Sequence, residues 1–540
     1  MEDHARRVRC GDVVAWLAAG GLVLSSALLG NVAAHFGGSW VTVALQAALV
    51  TSGIAGAAAL WRRTGTATLV AIVAVGVVAR VLLLPWPPLQ SNDLYRYLWD
   101  GRLLAHGIDP YVVVPSAQQL RAFHGGDWLY PHIDWRAVPT LYPPLDLLLY
   151  TLGAWFGDRA HRSIVPLKAI LLLWDGATFA LLALGLRARG LPLGRLALYA
   201  WSPLAIVEFG LNGHEESVAI ACIVGAIVAC DARRPLAASV ALAGAVLSKL
   251  YPAAFVPALF ARRGGAYAIA ACVAIVVVAY APFVAWNRDV LGFLHAFAFG
   301  YHFNDSLHPL VGTVGAAAIL IVAIAIAAFA GLHGASAVAI VLGLELVYLL
   351  VSPSVYPWYV ALFAALLPLV PNAFAPSMRP LGLALVAWTA LAPLAYLAPW
   401  AIPVGSTPDV LAHVVEYAPL ALAAIVYAVR DWRRVAAVLG IAAISGCGAR
   451  LGSPAAAATI GPGPVARGAT FYAANCAVCH TPTATSFIGP DLTHVAARRS
   501  RASLRAHIAT SVPGGTTFSP ATVDALVAYL THLDERSRTP

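Results

Sequence analysis

Three groups of residues in this chain have the types and spacing to do chemistry at the rim of a membrane. The first is the run Ser91-Asn92-Asp93-Leu94-Tyr95-Arg96-Tyr97, continuing through Asp100-Gly101-Arg102 to Gly107-Ile108-Asp109-Pro110-Tyr111. It places carboxylates, guanidinium groups and aromatics directly after a long apolar stretch, where charge is costly unless it serves a purpose. A carboxylate such as Asp93 can take the proton of a hydroxyl. It can equally cap a helix that starts at Leu94, and spacing alone favours the cap. Arg96 and Arg102 are cations suited to a phosphate, whether of a substrate or of a lipid headgroup. The second group is Asn212-Gly213-His214-Glu215-Glu216, which offers acceptor-binding side chains or a second carboxylate, or is an ordinary polar loop. One histidine with two acids is a weak metal set when no second histidine stands at ligand spacing. The third is Lys249 in Ser248-Lys249-Leu250-Tyr251-Pro252, together with Tyr356, Trp358 and Tyr359. Lys249 suits a phosphate, and the aromatics either line a lipid or sugar path or simply sit at a membrane interface. Asp175 lies inside an apolar run with Lys168 two turns away on the same helical face, which suggests a polar network between them.

The elements that must position these groups are apolar. With 540 residues, 60% hydrophobic and 11% charged, the chain is excluded from the ordinary soluble class. Apolar runs recur as candidate spans, at about 13–34, 40–60, 66–85, 164–186, 196–211, 216–230, 235–248, 251–261, 266–286, 310–331, 336–352, 358–371, 381–400 and 414–430, the pair 235–248 and 251–261 being short for a crossing. The piece 145–156 is too short to cross and reads as interfacial, and 91–104 as a short interfacial helix. The formal charge of +9 comes from arginines clustered between apolar runs, which set orientation and give no reason to expect nucleic acid. Arg6, Arg7 and Arg9 put the N-terminus inside, so the loop with Asp93 and the turn with His214 face outward, as does Lys249. The location expected is the inner, cytoplasmic membrane, with the loop containing Asp93 on the outer, periplasmic side.

The Asp-Leu-Tyr-Arg-Tyr…Asp-Gly…Gly-Ile-Asp-Pro-Tyr loop, answered by Leu141-Tyr142-Pro143-Pro144-Leu145, resembles the first extracytoplasmic loop of multi-span glycosyltransferases of the GT-C superfamily, in particular the bacterial mannosyltransferase-like members. The Asn-Gly-His-acid turn and the Lys-Tyr-Pro element resemble family elements too. The resemblance implies a polyprenyl-phosphate sugar donor, a glycan or lipid-linked acceptor, and transfer of a hexose, mannose first, with inversion. It implies Asp93 as base, with Arg96, Arg102 and Lys249 on the phosphate. Asn212, His214, Glu215, Glu216, Tyr356 and Trp358 would line the substrate cavity.

A separate motif lies near the C-terminus. Cys476-Ala477-Val478-Cys479-His480 has the haem c attachment spacing, with two thioethers from the cysteines and His480 on the iron. A zinc or redox Cys-x-x-Cys is disfavoured because no second cysteine pair is available. Arg467–Tyr472 begins a helix, and Ser519-Pro520 begins another, along which Val523, Leu526, Val527 and Leu530 repeat at helical spacing. This part resembles a class I cytochrome c, and its Gly489-Pro490-Asp491-Leu492-Thr493-His494-Val495 run resembles the cytochrome extension of some cytochrome oxidase second subunits. The methionine that usually follows the Pro-Gly turn is missing: Thr517 stands in its slot, leaving His494, His507 or five-coordinate iron.

The expected organisation is all-α: a polytopic transmembrane bundle over 1–432 with its first outer loop at 86–163, then 433–447, a linker over 448–464, and a small all-α cytochrome c domain over 465–540. Residues 433–447 are either a last span or a lipoprotein-like signal ending at Cys447. Expected partners are the sugar donor, the acceptor, membrane lipids and a redox partner for the haem; no nicotinamide or flavin is expected. The rival reading is a membrane redox protein feeding the haem. It would need histidine pairs buried within spans, and the membrane part's histidines fall in loops or at span ends.

Overall fold

The computed structural model describes residues 2–430 except 37–39, 125–126, 262–264, 288 and 397–406. Of the C-terminal part it describes 463–465, 467–468, 472, 495–498, 500–510 and 520–537. The helices of ten or more residues are α1 (Glu2–Phe36), α2 (Trp40–Leu60), α3 (Thr66–Val81), α4 (Asp93–Ala105), α5 (Pro144–Arg159), α6 (Val165–Ala188), α7 (Glu216–Asp231), α8 (Pro235–Val246), α9 (Gly265–Asn287), α10 (His308–Leu332), α11 (Ala337–Val351), α12 (Pro357–Leu366), α13 (Arg379–Leu391), α14 (Thr407–Arg430), α15 (Arg501–Thr510) and α16 (Pro520–Ser537). The fold is all-α, as expected.

Six stretches are long and apolar enough to cross a membrane among the described residues: Gly11–Val32, Val41–Leu60, Val165–Ala188, Gly265–Asn287, His308–Leu332 and Val410–Arg430. At 1.5 Å per residue each spans roughly 30 Å or more, the thickness of the hydrocarbon layer. Their outward faces are bare of protein: on α10, Leu310 is 81% exposed and Val314 86%. Such side chains are stable only against lipid, and the chain is a multi-pass membrane protein.

Several expected spans are not continuous helices, and two are broken throughout. The run 196–211 is broken into short turns over Leu193–Leu196, Ala197–Ala200 and Pro203–Ala205, followed by a π-helical segment, Ile206–Asn212. Pro203 is the cause of one break: it holds Ser202 extended (φ −61°, ψ 119°), and the Ser202 hydroxyl accepts from the Ala205 N–H at 3.4 Å. The run 251–261 is two short turns, Tyr251–Phe255 and Val256–Leu259, with prolines at the start of each. Apolar composition alone does not distinguish a buried broken segment from a spanning helix.

The chain forms two compact units. The first comprises residues 1–112, 140–291 and 302–430, the second 113–139, 292–301 and 431–540. Within the first unit, the polar network expected between Lys168 and Asp175 is replaced by one ion pair and one set of backbone contacts. Asp175 pairs with Arg80 of α3 and accepts from the Tyr199 hydroxyl at 2.7 Å, while Arg80 also donates to Ala200 O at 2.7 Å. Lys168 does not reach Asp175; its Nζ donates to Leu83 O and Trp86 O at 2.8 and 3.0 Å, satisfying carbonyls past the end of α3. In the second unit, Tyr472, Leu504, Val523, Leu526, Val527 and Leu530 form a buried cluster, so the predicted apolar stripe of α16 does face a core. Cys447, Cys476, Cys479, His480, His494 and Thr517 lie outside the described residues, and His507 falls on α15.

Candidate active site

Helix α4 starts at Asp93, with Asn92 in the cap position (φ −94°, ψ 7°). Asp93 is therefore in the first turn, where a carboxylate favours the helix dipole, and not the capping residue. Its own N–H donates to Ser91 Oγ at 3.2 Å. Past it, α4 turns Arg96, Tyr97 and Asp100 into the protein, with Arg96 Nε donating to Asp100 Oδ1 at 2.8 Å. Gly101 lets α4 lie flat on α5: a Cβ there would sit 2.2 Å from the Tyr150 carbonyl carbon. That close approach stacks Tyr97 on Tyr150 with ring centres 4.5 Å apart, and Tyr142 meets both rings edge-on.

The opposite wall is built from the π-helical turn and the start of α7. Gly213 is left-handed (φ 73°), and a Cβ there would meet Leu94 and Lys168 at 3.0 and 3.2 Å. The turn brings His214 and Glu215 over Tyr97. Tyr97 donates to Glu215 Oε2, and its hydroxyl lies 3.4 Å from His214 Nδ1. Asn212 is a tie between walls: its Oδ1 accepts from the N–H groups of Leu89 and Gln90, and its Nδ2 donates to Glu208 at 3.0 Å. His214 stacks on Trp358 at 3.7 Å, Trp358 on Tyr356 at 4.4 Å. Lys249 pairs with Glu215, stands 3.6 Å from Glu216 and lies over the Tyr359 ring. Glu216 also accepts from the Tyr251 hydroxyl at 2.9 Å.

The electrostatics are set by burial. Burial, and then Lys249, lower His214 to a pKa of about 3, so its ring is neutral. Burial alone would raise Glu215, but the attraction of Lys249 and the hydrogen bonds from Lys249 and Tyr97 leave it lowered and ionised. Lys249 loses charge stability to burial, yet Glu215 more than restores it and holds the ammonium well above its usual value. Asp146 at the start of α5 is pushed well up by burial and by the charge of Glu215, so it keeps its proton. Tyr142 is raised by burial and then feels the charges of Asp93, Glu215, Lys249 and Arg96, which places all four around one ring.

Of the residues expected from sequence, Asp93, Arg96, His214, Glu215, Glu216, Lys249 and Trp358 converge here. Asn212 is next to them, tied to backbone and to Glu208, and Tyr356 is one ring further out. Arg102 pairs instead with Asp158, to which its Nε donates at 3.0 Å. Sequence reading missed Asp146, Glu208 and Tyr97. Glu208 carried a usable signal, since an acid inside an apolar run is as costly as Asp175. Asp146, one residue past the Tyr-Pro-Pro-Leu run, and Tyr97, inside the first motif, carried weaker ones.

Comparison with known proteins yields two separate likenesses. Residues 11–263 match the family described as alpha-(1->6)-mannopyranosyltransferase, N-terminal domain. Residues 463–530 match cytochrome C oxidase, cbb3-type, subunit III, rather than the second-subunit extension expected from the Gly-Pro-Asp-Leu run. Alpha-(1->6)-mannopyranosyltransferase A of Corynebacterium glutamicum is 27% identical over 168 residues, 30% of this chain and 32% of that protein. A probable alpha-(1->6)-mannopyranosyltransferase of Mycolicibacterium smegmatis is 29% identical over 29% of each chain. An alpha-(1->6)-mannopyranosyltransferase of Mycobacterium tuberculosis is 30% identical over 25% of this chain and 23% of its own. The chain thus spans about a third or less of the curated relatives it matches. No solved structure matches it. The chain resembles mannopyranosyltransferases in its membrane part and a cbb3-type cytochrome c in its C-terminal part.

Proposed function

We infer that the membrane part is a glycosyltransferase that moves a hexose, mannose by its likeness, from a polyprenyl phosphate to a glycan or lipid-linked acceptor on the outer face of the cytoplasmic membrane. One observation carries the reading. Of the carboxylates at this site, Asp100, Asp146, Glu208, Glu215 and Glu216 are all at most 1% exposed, whereas Asp93 is partly open to solvent. A base must meet its substrate, and Asp93 is the carboxylate of this cluster placed to do so. Lys249, its side chain 13% exposed, is a cation near the same Tyr142 ring.

In this mechanism Asp93 accepts the proton of the acceptor hydroxyl as that oxygen attacks the anomeric carbon. The bond from that carbon to the phosphate oxygen breaks with its electron pair on the phosphate, and the configuration inverts. Lys249 and Arg96 meet the charge that grows on the leaving phosphate. His214, neutral and stacked on Trp358, stands beside Tyr97 without competing for the proton.

The donor set Cys476, Cys479 and His480 fits a covalent haem c, since it holds two thiols for thioethers and one imidazole for the iron. When bound, the haem supplies one-electron transfer to a redox partner. Buried Leu526 and Leu530 of α16 belong to the core of that domain.

The test is transfer of labelled mannose from a polyprenyl-phosphate donor by purified protein. Asp93→Asn should lower the rate by about a hundredfold or more while leaving donor binding within a few fold. An Asp93→Asn variant with unchanged rate would remove Asp93 from the role of base, and absence of transfer from every donor would sink the reading.

A further inference from the structure

The loop that enters α10 carries three ligand-type side chains within seven residues, His302-Phe303-Asn304-Asp305-Ser306-Leu307-His308. The residues between them are fixed one by one to other elements. The Phe303 N–H donates to Pro353 O at 3.0 Å, and its carbonyl accepts from Val355 N–H at 2.8 Å, as a short parallel bridge. Asn304 is held left-handed (φ 52°) by its side chain, which donates to Glu416 at 3.1 Å and lies 2.9 Å from His413 Nδ1. Ser306 Oγ and Leu307 N–H both donate to Leu350 O. With the backbone pinned this way, His302, Asp305 and His308 gather on one side. His302 Nδ1 is 2.8 Å from Asp305 Oδ2, His308 Nδ1 is 3.9 Å from the same oxygen, and one ligand atom from each residue lies within 4.8 Å of the others.

His308 supplies an independent observation. It is 4% exposed, and its Nδ1, aimed at Asp305 from beyond hydrogen-bonding distance, has no hydrogen-bond partner among the described residues. A buried ring nitrogen left unpaired is unfavourable, and something with a vacancy for a lone pair would relieve it.

We propose that His302, Asp305 and His308 form a binding site for a divalent transition metal, zinc being the ion the donors suit best. Two imidazoles and one carboxylate are a zinc donor set with a fourth position left for water. Zinc–ligand bonds of about 2.0–2.2 Å at tetrahedral angles set ligand atoms about 3.3 Å apart, within the spread seen here. The closing movement falls to His302, whose side chain is 50% exposed and free to shift, while buried His308 stays in place. The metal's role is to fix the loop. Phe303 stacks on Tyr356 at 4.4 Å, Tyr356 on Trp358 at 4.4 Å and Trp358 on His214 at 3.7 Å, so a fixed loop steadies a ladder of rings that ends at the candidate active site.

Full-length, haem-loaded protein in detergent, stripped with a chelator and titrated with zinc, provides the test, with bound zinc counted by mass spectrometry and affinity read by dye competition. A Cys476→Ala/Cys479→Ala chain serves as the control for thiolate binding. About one zinc per chain is expected in both. His302→Ala, at the exposed position least able to upset folding, should weaken zinc affinity about tenfold or more and cancel the rise in Tm that zinc gives the wild type. His308→Ala should do the same. Zinc affinity unchanged by His302→Ala in folded protein, zinc lost with the two cysteines, or no zinc bound at micromolar concentration would each overturn the site.

Discussion

Lys249 stands between two buried carboxylates, and its charge is what lets them share so small a space. Replacing it with alanine leaves Glu215 and Glu216 facing each other without a cation, a change that costs about 3–5 kcal/mol where a buried pair is broken. A large fall in Tm is expected for Lys249→Ala, and a smaller one for Lys249→Arg, which keeps the charge. The pair also has a pH signature. Glu215 is held below its usual value of 4.5, so its contribution is fully present above that value and is lost as pH falls through the lowered folded value. The Tm advantage of wild type over Glu215→Gln should therefore be constant from neutral pH down to about 5 and shrink on further acidification. His214 behaves differently. With its pKa near 3 rather than 6.5 it does not change charge in the working range, so transfer rates of wild type and His214→Gln should show the same pH dependence around 6.5. A step present in wild type and missing in His214→Gln would mean that the ring is more open than its burial indicates. At this scale the sequence showed which residue types were unusual for a membrane protein, and most of them converge. It could not show partners: Arg102 belongs to Asp158 and Asp175 to Arg80, because both pairings depend on which helices pack together.

The elements that hold the site are those in which helix is interrupted. Long spans such as α6, α9 and α10 were legible because twenty or so apolar residues in a row admit little else. The π-helical turn 206–212 was not, since its residues are as apolar as those of a regular span and the break depends on Pro203 and on the carboxylate of Glu208 finding Asn212 and Tyr396. The α4–α5 contact was also hidden, because one glycine decides it. Gly101→Val would push a methyl group into the Tyr150 backbone, and separating the two helices unstacks Tyr97 from Tyr150. A loss of about 3 kcal/mol or more is expected, with transfer falling alongside Tm; Gly107→Ala, where nothing lies within 4 Å, tests left-handed strain alone and should cost less. Equal effects from both would show that the close approach of α4 and α5 carries no special weight.

At the scale of the whole chain, two different chemistries occupy separate stretches, one matched over 11–263 and the other over 463–530. Their requirements do not overlap: the proposed sugar transfer needs a carboxylate and cations at the membrane face, and haem attachment needs two thiols and an imidazole. The described residues give each its own core, Leu526 and Leu530 packing with Tyr472 in the second unit and Trp388, Phe363 and Leu385 packing in the first. Independent cores imply separable losses. Cys476→Ala together with Cys479→Ala should abolish haem that survives denaturing electrophoresis, yet leave the mannose transfer rate within about twofold, because no residue of the proposed transfer step is altered. Asp93→Asn should do the reverse, removing transfer while keeping the haem stain and its spectrum. If the cysteine variant instead loses transfer in proportion to its haem while the membrane part stays folded, the two chemistries are coupled, and the membrane part works in a redox cycle that sugar transfer alone does not require.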